Sequence, residues 1–444
     1  MEDSKEYKIW KQKRSAFRCI SSIKVILSGA EDITTITMIF LLMDRHGLSR
    51  PDAAFYYSVT EMFFCLAHAN GSLLLGRYAD KTQKIRLLSM VNLFISCLCN
   101  LIYTLPLPLW IVLSARGLMG ITRALNPTVL GEIRRVYNHD KKELTNVIIW
   151  FSINIQIGRN AAAIIILVLG HMSFKIGSWK IDHLVACNVI VTILAAILIV
   201  VSYFKLTDVS LELDQIKLHC SKKFDGQQNE TKAASPKVLM KWTDLFNKDI
   251  ISIILSFSLI RYTTLVLISN VSILAASAEY EWSSNSRFLV FLLPNILFLF
   301  IILAINYSRF LADRTVSFFI YVIALCLACI VLTGFLLTKT GLLETFMKQI
   351  IFFIVLKTIK NFSIYFGFVC SNFLLFILVK PEDSSFIAGA RTYFSVLLKG
   401  IACFISYKSS FYPEYFYPPA IIVLLVLAQF LLYRRHLYLP KRVL

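Results

Sequence analysis

Apolar runs, broken at fairly regular intervals by short polar and basic stretches, set the pattern of this chain. The runs at 184–204, 286–306, 316–338 and 416–433 approach or exceed the roughly 20 residues that an α-helix needs to cross a bilayer. Read with the interruptions, the pattern predicts twelve helices, near 21–44, 54–76, 87–105, 109–130, 144–170, 184–205, 250–276, 286–307, 316–338, 349–379, 386–407 and 416–433. The first, fourth, fifth and tenth carry charges inside the apolar run. They count as spans because the short spacing on both sides leaves the chain no other place. Spans must be helical, since lipid offers no partner for loose backbone groups. The expected fold class is therefore an all-α polytopic membrane protein.

Residues 206–249 break the pattern. They are polar, contain Gly, Pro, Gln and Lys, and divide the spans six and six. This gives a tail at 1–20, a first half at 21–205, a linker at 206–249, a second half at 250–433 and a tail at 434–444. A short sequence recurs across that division. Ala79-Asp80-Lys81-Thr82 follows the second helix of the first half, and Ala312-Asp313-Arg314-Thr315 follows the second helix of the second half. The match at equivalent places points to parallel halves related by an axis along the membrane normal.

Composition agrees. Of 444 residues, 57% are hydrophobic and only 16% charged, against about a quarter charged in soluble domains. The formal net charge is +19. In a soluble protein that would point to nucleic acid. Here the excess sits in the tails, the linker and alternate short loops, so no nucleic-acid partner is expected. The positive-inside rule instead places both termini and the linker in the cytoplasm. The sequon Asn229-Glu230-Thr231 then faces the cytoplasm and goes unused, and no cleavable signal peptide is visible. The ten cysteines are scattered, mostly in spans. No metal-ligand grouping, Walker A, GxSxG or HExxH pattern is present, so neither a cofactor nor an enzymatic activity is expected.

The loop Gly76-Arg77-Tyr78-Ala79-Asp80-Lys81-Thr82-Gln83-Lys84-Ile85-Arg86 resembles the signature between helices two and three of the major facilitator superfamily. Gln83 stands where that signature has its second Gly, and the later copy has Arg309 in place of the first. Arg116-Gly117-Leu118-Met119-Gly120 resembles the superfamily's Arg-x-x-x-Gly pattern in the fourth helix. The stretches 115–129 and 173–191 look like the superfamily's lysosomal branch, associated with neuronal ceroid lipofuscinosis. The resemblance implies the major facilitator fold, with twelve transmembrane helices in two six-helix halves. It implies a secondary transporter that alternates access, in a lysosomal, endosomal or plasma membrane. It also implies a cytoplasmic gate built from Gly76 and Asp80, with Lys81 and Arg86 as partners of Asp80, and Asp313 and Arg314 in the second copy.

Ionisable residues inside spans are costly and are functional candidates by default. Glu31 and Asp32 lie near the middle of the first helix. About 100° apart around the axis, both can face a cavity but not the same atom, and either could carry a coupling proton for symport. Glu61 sits nearer an outer end, where it could be wet, and His68 shares its face. The cations are more numerous: Arg116 and Arg123 two turns apart on one face, Arg159, Arg261, Lys357 and Lys360 one turn apart, Arg391 and Lys399. Arg391 lies near the cytoplasmic end and can snorkel. Some cations must pair with the acids. The remainder would make the midplane electropositive and suit a small anionic solute. An anion-conducting channel on the same fold, and a membrane receptor or scaffold that transports nothing, are the alternatives.

Overall fold

The computed structural model describes residues 2–138, 141–169, 173–176, 179–224, 240–270, 284–307 and 346–409, together with 421 and 425. The expected helices at 316–338 and 416–433, and with them Asp313 and Arg314, lie outside the described residues, apart from those two isolated positions. Helix α1 (Glu2–Asp44) begins far upstream of the apolar run, so that run is the inner part of one continuous helix. Helix α2 (Arg50–Thr82) is started by Ser49, whose hydroxyl accepts from the Asp52 amide, with a proline in its first turn. It stops at Gln83, which adopts φ 55°. That left-handed conformation favours glycine, which explains the superfamily's glycine there. In this chain Gln83 is anchored instead by its Nε2, which donates to Asp214 Oδ2 at 3.0 Å.

Helix α3 (Ile85–Thr104) follows. The expected fourth helix is two: α4 (Leu109–Arg123) and α5 (Leu125–Val136), meeting at Ala124. Pro127 has no N–H to give the Arg123 carbonyl, and this breaks the ladder. Helix α6 (Lys141–Leu169) is followed by an antiparallel pair, β1 (Ser173–Ile176) and β2 (Trp179–Asp182), in register Ser173 to Asp182. Helix α7 (His183–Lys205) is capped by Asp182, and α8 (Val209–Phe224) begins the linker. The second half contributes α9 (Lys248–Asn270), α10 (Ser284–Tyr307), α11 (Phe346–Leu378) and α12 (Ser384–Ser409).

Among the described residues, only three helices combine a span's length with high hydropathy: Ile85–Thr104, Glu143–Leu169 and Val185–Ile216. Helices α1, α2 and α12 carry charges within their apolar runs, among them the buried Lys24, Glu61, Asp80 and Arg391.

The halves meet along α12, which packs against α2 and α5. One apolar core spans both halves at the linker side, joining Ile23, Leu27, Leu130 and Ile133 to Phe257, Phe376, Phe386 and Ile387. A second lies toward the other side, with Ile33, Phe64, Tyr103 and Met119 against Val396. Three glycines set how near the halves come at the linker side. A Cβ on Gly76 would lie 2.5 Å from the Ser385 carbonyl oxygen, and one on Gly389 2.4 Å from that of Ser72. One on Gly131 would lie 2.0 Å from Ser385 Oγ and 2.5 Å from its amide nitrogen. Gly131→Ala should therefore fold but be unable to shut. Thiol labelling of a cysteine placed at Ser384, buried in this interface, should rise several-fold over the same cysteine beside the native glycine.

Candidate functional site

The closed linker side is held by charges from both halves. Asp80, 2% exposed, is at the end of α2 and faces the start of α12. Its Oδ1 accepts from the Ser385 amide at 3.1 Å and its Oδ2 from the Phe386 amide at 2.7 Å. A carboxylate of one half thus caps a helix N-terminus of the other, where unpaired amides and the helix dipole favour an anion. Its cationic partner is Arg135, whose Nη1 lies 2.5 Å from Oδ1. Lys81 and Arg86 do not take that role. Lys81 is exposed, while Arg86 donates to the Tyr203 carbonyl and its amide to Asp208. On a helix end, neighbours in sequence point away from Asp80, and α5 supplies the Arg from 55 positions on.

Around this pair the gate extends. Arg134 donates to the Val379 carbonyl at 2.8 Å across the halves. Arg77 lies 3.9 Å from Asp383 and stacks on Phe386. Both ends of the linker are tied in: Ser210 donates through amide and hydroxyl to Glu132, at 3.0 and 2.7 Å, and the Met240 amide donates to Asp383 at 2.9 Å. Sequence reasoning did not single out Glu132, Arg134, Arg135 or Asp383 as site residues. The signal available was the run Gly131-Glu132-Ile133-Arg134-Arg135, which repeats the close glycine and mixed charges of the Gly76 loop.

At the middle of the first half, α4 turns Arg116 and Arg123 toward α1 and α2. Arg116 is fully buried. Its Nε and Nη2 donate to Glu61 Oε1 at 2.8 and 2.5 Å, and its Nη1 and Nη2 to Thr34 and Thr35 at 2.5 and 2.6 Å. The guanidinium lies 4.3 Å from the Phe64 ring. Glu61 is therefore not a wet outer residue: it is 4% exposed and its charge is bound. Its other oxygen faces Lys399 of α12 at 4.0 Å, so one carboxylate touches cations of both halves. Glu31 pairs with Arg123, and Asp32 lies 3.8 Å from Arg159, an attraction too long for a hydrogen bond. The two neighbouring acids thus diverge to α4 and α6, as the helix angle requires. Asp32 and Arg159 keep about a quarter and a third of their side chains exposed.

Arg391 does not snorkel. It is 1% exposed, gives Nη1 to the Phe368 carbonyl and Ser371 Oγ at 3.1 and 2.9 Å, and lies against the rings of Phe257 and Phe368. The side chains of Arg261, Lys357 and Lys360 lie outside the described residues. One buried cation escaped the sequence reading: Lys24, on the face of α1 that carries Glu31.

Membrane helices in two halves, shut at one end by ion pairs and carrying buried charges at mid-depth, define a membrane transporter. The chain belongs to the Major Facilitator Superfamily, whose family model matches residues 19–403. It has that superfamily's fold, of twelve transmembrane helices in two six-helix halves, and is a multi-pass membrane protein that moves a small-molecule solute rather than an enzyme. Solved structures agree in fold. The human organic anion transporter MFSD10 (TETRAN) aligns with a TM-score of 0.69 at 10% identity, covering 94% of this chain and 99% of its own. A bacterial homologue of the iron transporter ferroportin, in its outward-facing state, aligns with 0.59 at 14% identity, covering 95% and 99%. No curated protein matches by sequence.

Proposed function

We propose that this protein is a secondary carrier of a small organic or inorganic anion, working by alternating access and coupled to protons. The observation that carries the reading is the charge balance at mid-depth. Among the described residues, the carboxylates Glu31, Asp32 and Glu61 stand against Arg116, Arg123, Arg159 and Lys399. A surplus of cations in a low-dielectric site favours an anionic guest. Arg159 is the cation best placed to meet it, being loosely held and partly exposed, with a fork suited to carboxylate or phosphate. Asp32, its partner, is the carboxylate that a proton could reach. The likeness of fold to an organic anion transporter is in keeping with this.

The gate described above, from Gly76 and Asp80 to Asp383, would be the cytoplasmic one, because the linker and basic loops lie on its side. A lysosomal or endosomal membrane would supply the proton gradient. Support for that setting is the likeness of 115–129 and 173–191 alone.

Purified protein in liposomes, given an inward proton gradient and a panel of labelled anions, tests the reading. Saturable uptake should need the gradient. Asp32→Asn with Glu31→Gln should remove the proton dependence, and Arg159→Ala should reduce uptake on the order of tenfold or more, as loss of a charge-assisted contact does. Uptake of neutral or cationic solutes alone, with Arg159→Ala unaffected, would sink it.

A further inference from the structure

Lys24 is a buried charge that the pairs above do not use. It lies on α1 seven residues before Glu31, so about 10 Å nearer the linker side. Lys24, Ser28 and Glu31 recur at helical spacing and share one face. Lys24 is 1% exposed, and its Nζ has no hydrogen-bond partner among the described residues. The charged groups that act on it are Arg123 and Arg159, both cations. The nearby carboxylates are engaged, Glu31 with Arg123 and Asp32 with Arg159. Ser28 directs its hydroxyl hydrogen back to its own helix, toward the Lys24 and Val25 carbonyls at 2.7 and 3.1 Å. Helix α6 presses close here, since a Cβ on Gly158 would lie 2.2 Å from Ser28 Oγ and from the Val25 oxygen. That approach sets α6 against α1 beside Ser28, with Arg159, the next residue, turned toward Asp32.

A buried lysine amine with no hydrogen-bond partner among the described residues can hold its proton there only at a cost to the empty protein. Its long stem could have carried it to water and does not. We infer that Lys24, with Arg123 and Arg159, forms an anion subsite on the linker side of the central ion pairs, which takes a compact oxyanion group (carboxylate, phosphate or sulfate) of the transported solute. The inference rests on the anion-carrier reading above and adds to it a residue, a place and a chemistry. Two guanidinium forks and an ammonium provide the spread of donors that an oxyanion's several oxygens accept, which a spherical halide cannot use as fully. In the closed linker-side state Lys24 is sealed. It is positioned to meet the solute in the half of the cycle that opens toward the linker.

The test is thermal unfolding of the purified full-length protein titrated with succinate, inorganic phosphate, inorganic sulfate or chloride. At least one oxyanion should stabilise the wild type. Lys24→Met, which keeps the stem and removes the charge, should melt higher than wild type when anion-free. It should bind that oxyanion on the order of tenfold more weakly. Lys24→Arg should restore the response. A lower melting temperature for anion-free Lys24→Met, with the oxyanion response intact, would overturn the subsite and show that the ammonium has a structural partner. So would a response confined to chloride. If wild type responds to an oxyanion and Lys24→Met responds equally, only the Lys24 subsite falls. If wild type responds to no anion, the anion-carrier reading falls with it.

Discussion

Asp80→Asn should open the linker-side gate and nearly abolish transport. The carboxylate accepts from two buried amides at the start of α12 and pairs with Arg135. Asparagine keeps the shape but offers one acceptor oxygen, and turns an N–H₂ toward groups that are themselves donors. A buried donor left without its acceptor costs about 1–3 kcal/mol, and the charge that favoured the helix N-terminus is gone as well. Glu132 still neutralises Arg135, at 3.3 Å, so the loss falls on the contact between halves and spares each half's own packing. About 5.5 kcal/mol carries a two-state equilibrium from 99:1 to 1:99, so a loss of about 3 kcal/mol would leave the open form abundant. Spin labels at Lys81 and Lys380, both exposed, should report a longer and broader distance distribution. The Ser385 and Phe386 amides should lose hydrogen-exchange protection. An unchanged distance with unchanged protection would mean that the apolar core alone holds the gate.

Removing Glu61 should damage the protein more than removing Arg116, its partner. Glu61→Gln strips the counter-charge from Arg116, which is fully buried, and from Lys399, which it faces at 4.0 Å. Breaking a buried pair from one side costs about 3–5 kcal/mol, because the surviving charge stays in a low dielectric. Arg116→Gln leaves Glu61 beside Lys399, a cation already close enough to move in, so its cost should be at the lower end. The double variant Glu61→Gln with Arg116→Gln should recover part of the loss, since no orphan charge remains at that pair. Thermal melting of the three variants in detergent decides it. If Arg116→Gln is the worst of the three, Lys399 does not compensate and the contact across the halves is weaker than its distance implies.

Much of this protein could be read before any coordinates. The bilayer's demand for long apolar helices made the class of architecture visible as runs. The resemblance carried by the loop from Gly76 to Arg86 pointed to Asp80 as a gate residue, because a motif tied to a helix end survives as a string. The pairing of charges could not be read in the same way. Arg135 is remote in sequence from Asp80, and the two nearer cations, Lys81 and Arg86, were the partners the resemblance implied. Glu61 looked wet because its depth depends on how α2 leans on α4 and α12. Lys24 was passed over: α1 continues as a helix well outside the apolar run, which hides where the membrane-depth part begins.

The sequence by itself determined the class of architecture and the excess of cations over acids within its helices. These follow from hydropathy and composition, which are sums over local stretches. Only the tertiary structure decided which charges neutralise one another, that Glu61 reaches both halves, that Asp80 caps a helix of the other half, and that Lys24 is buried without a hydrogen-bond partner among the described residues. Those facts depend on the rotation and approach of helices packed against each other. Close backbone contacts at Gly76, Gly131, Gly158 and Gly389 fix that approach to within the width of a methyl group.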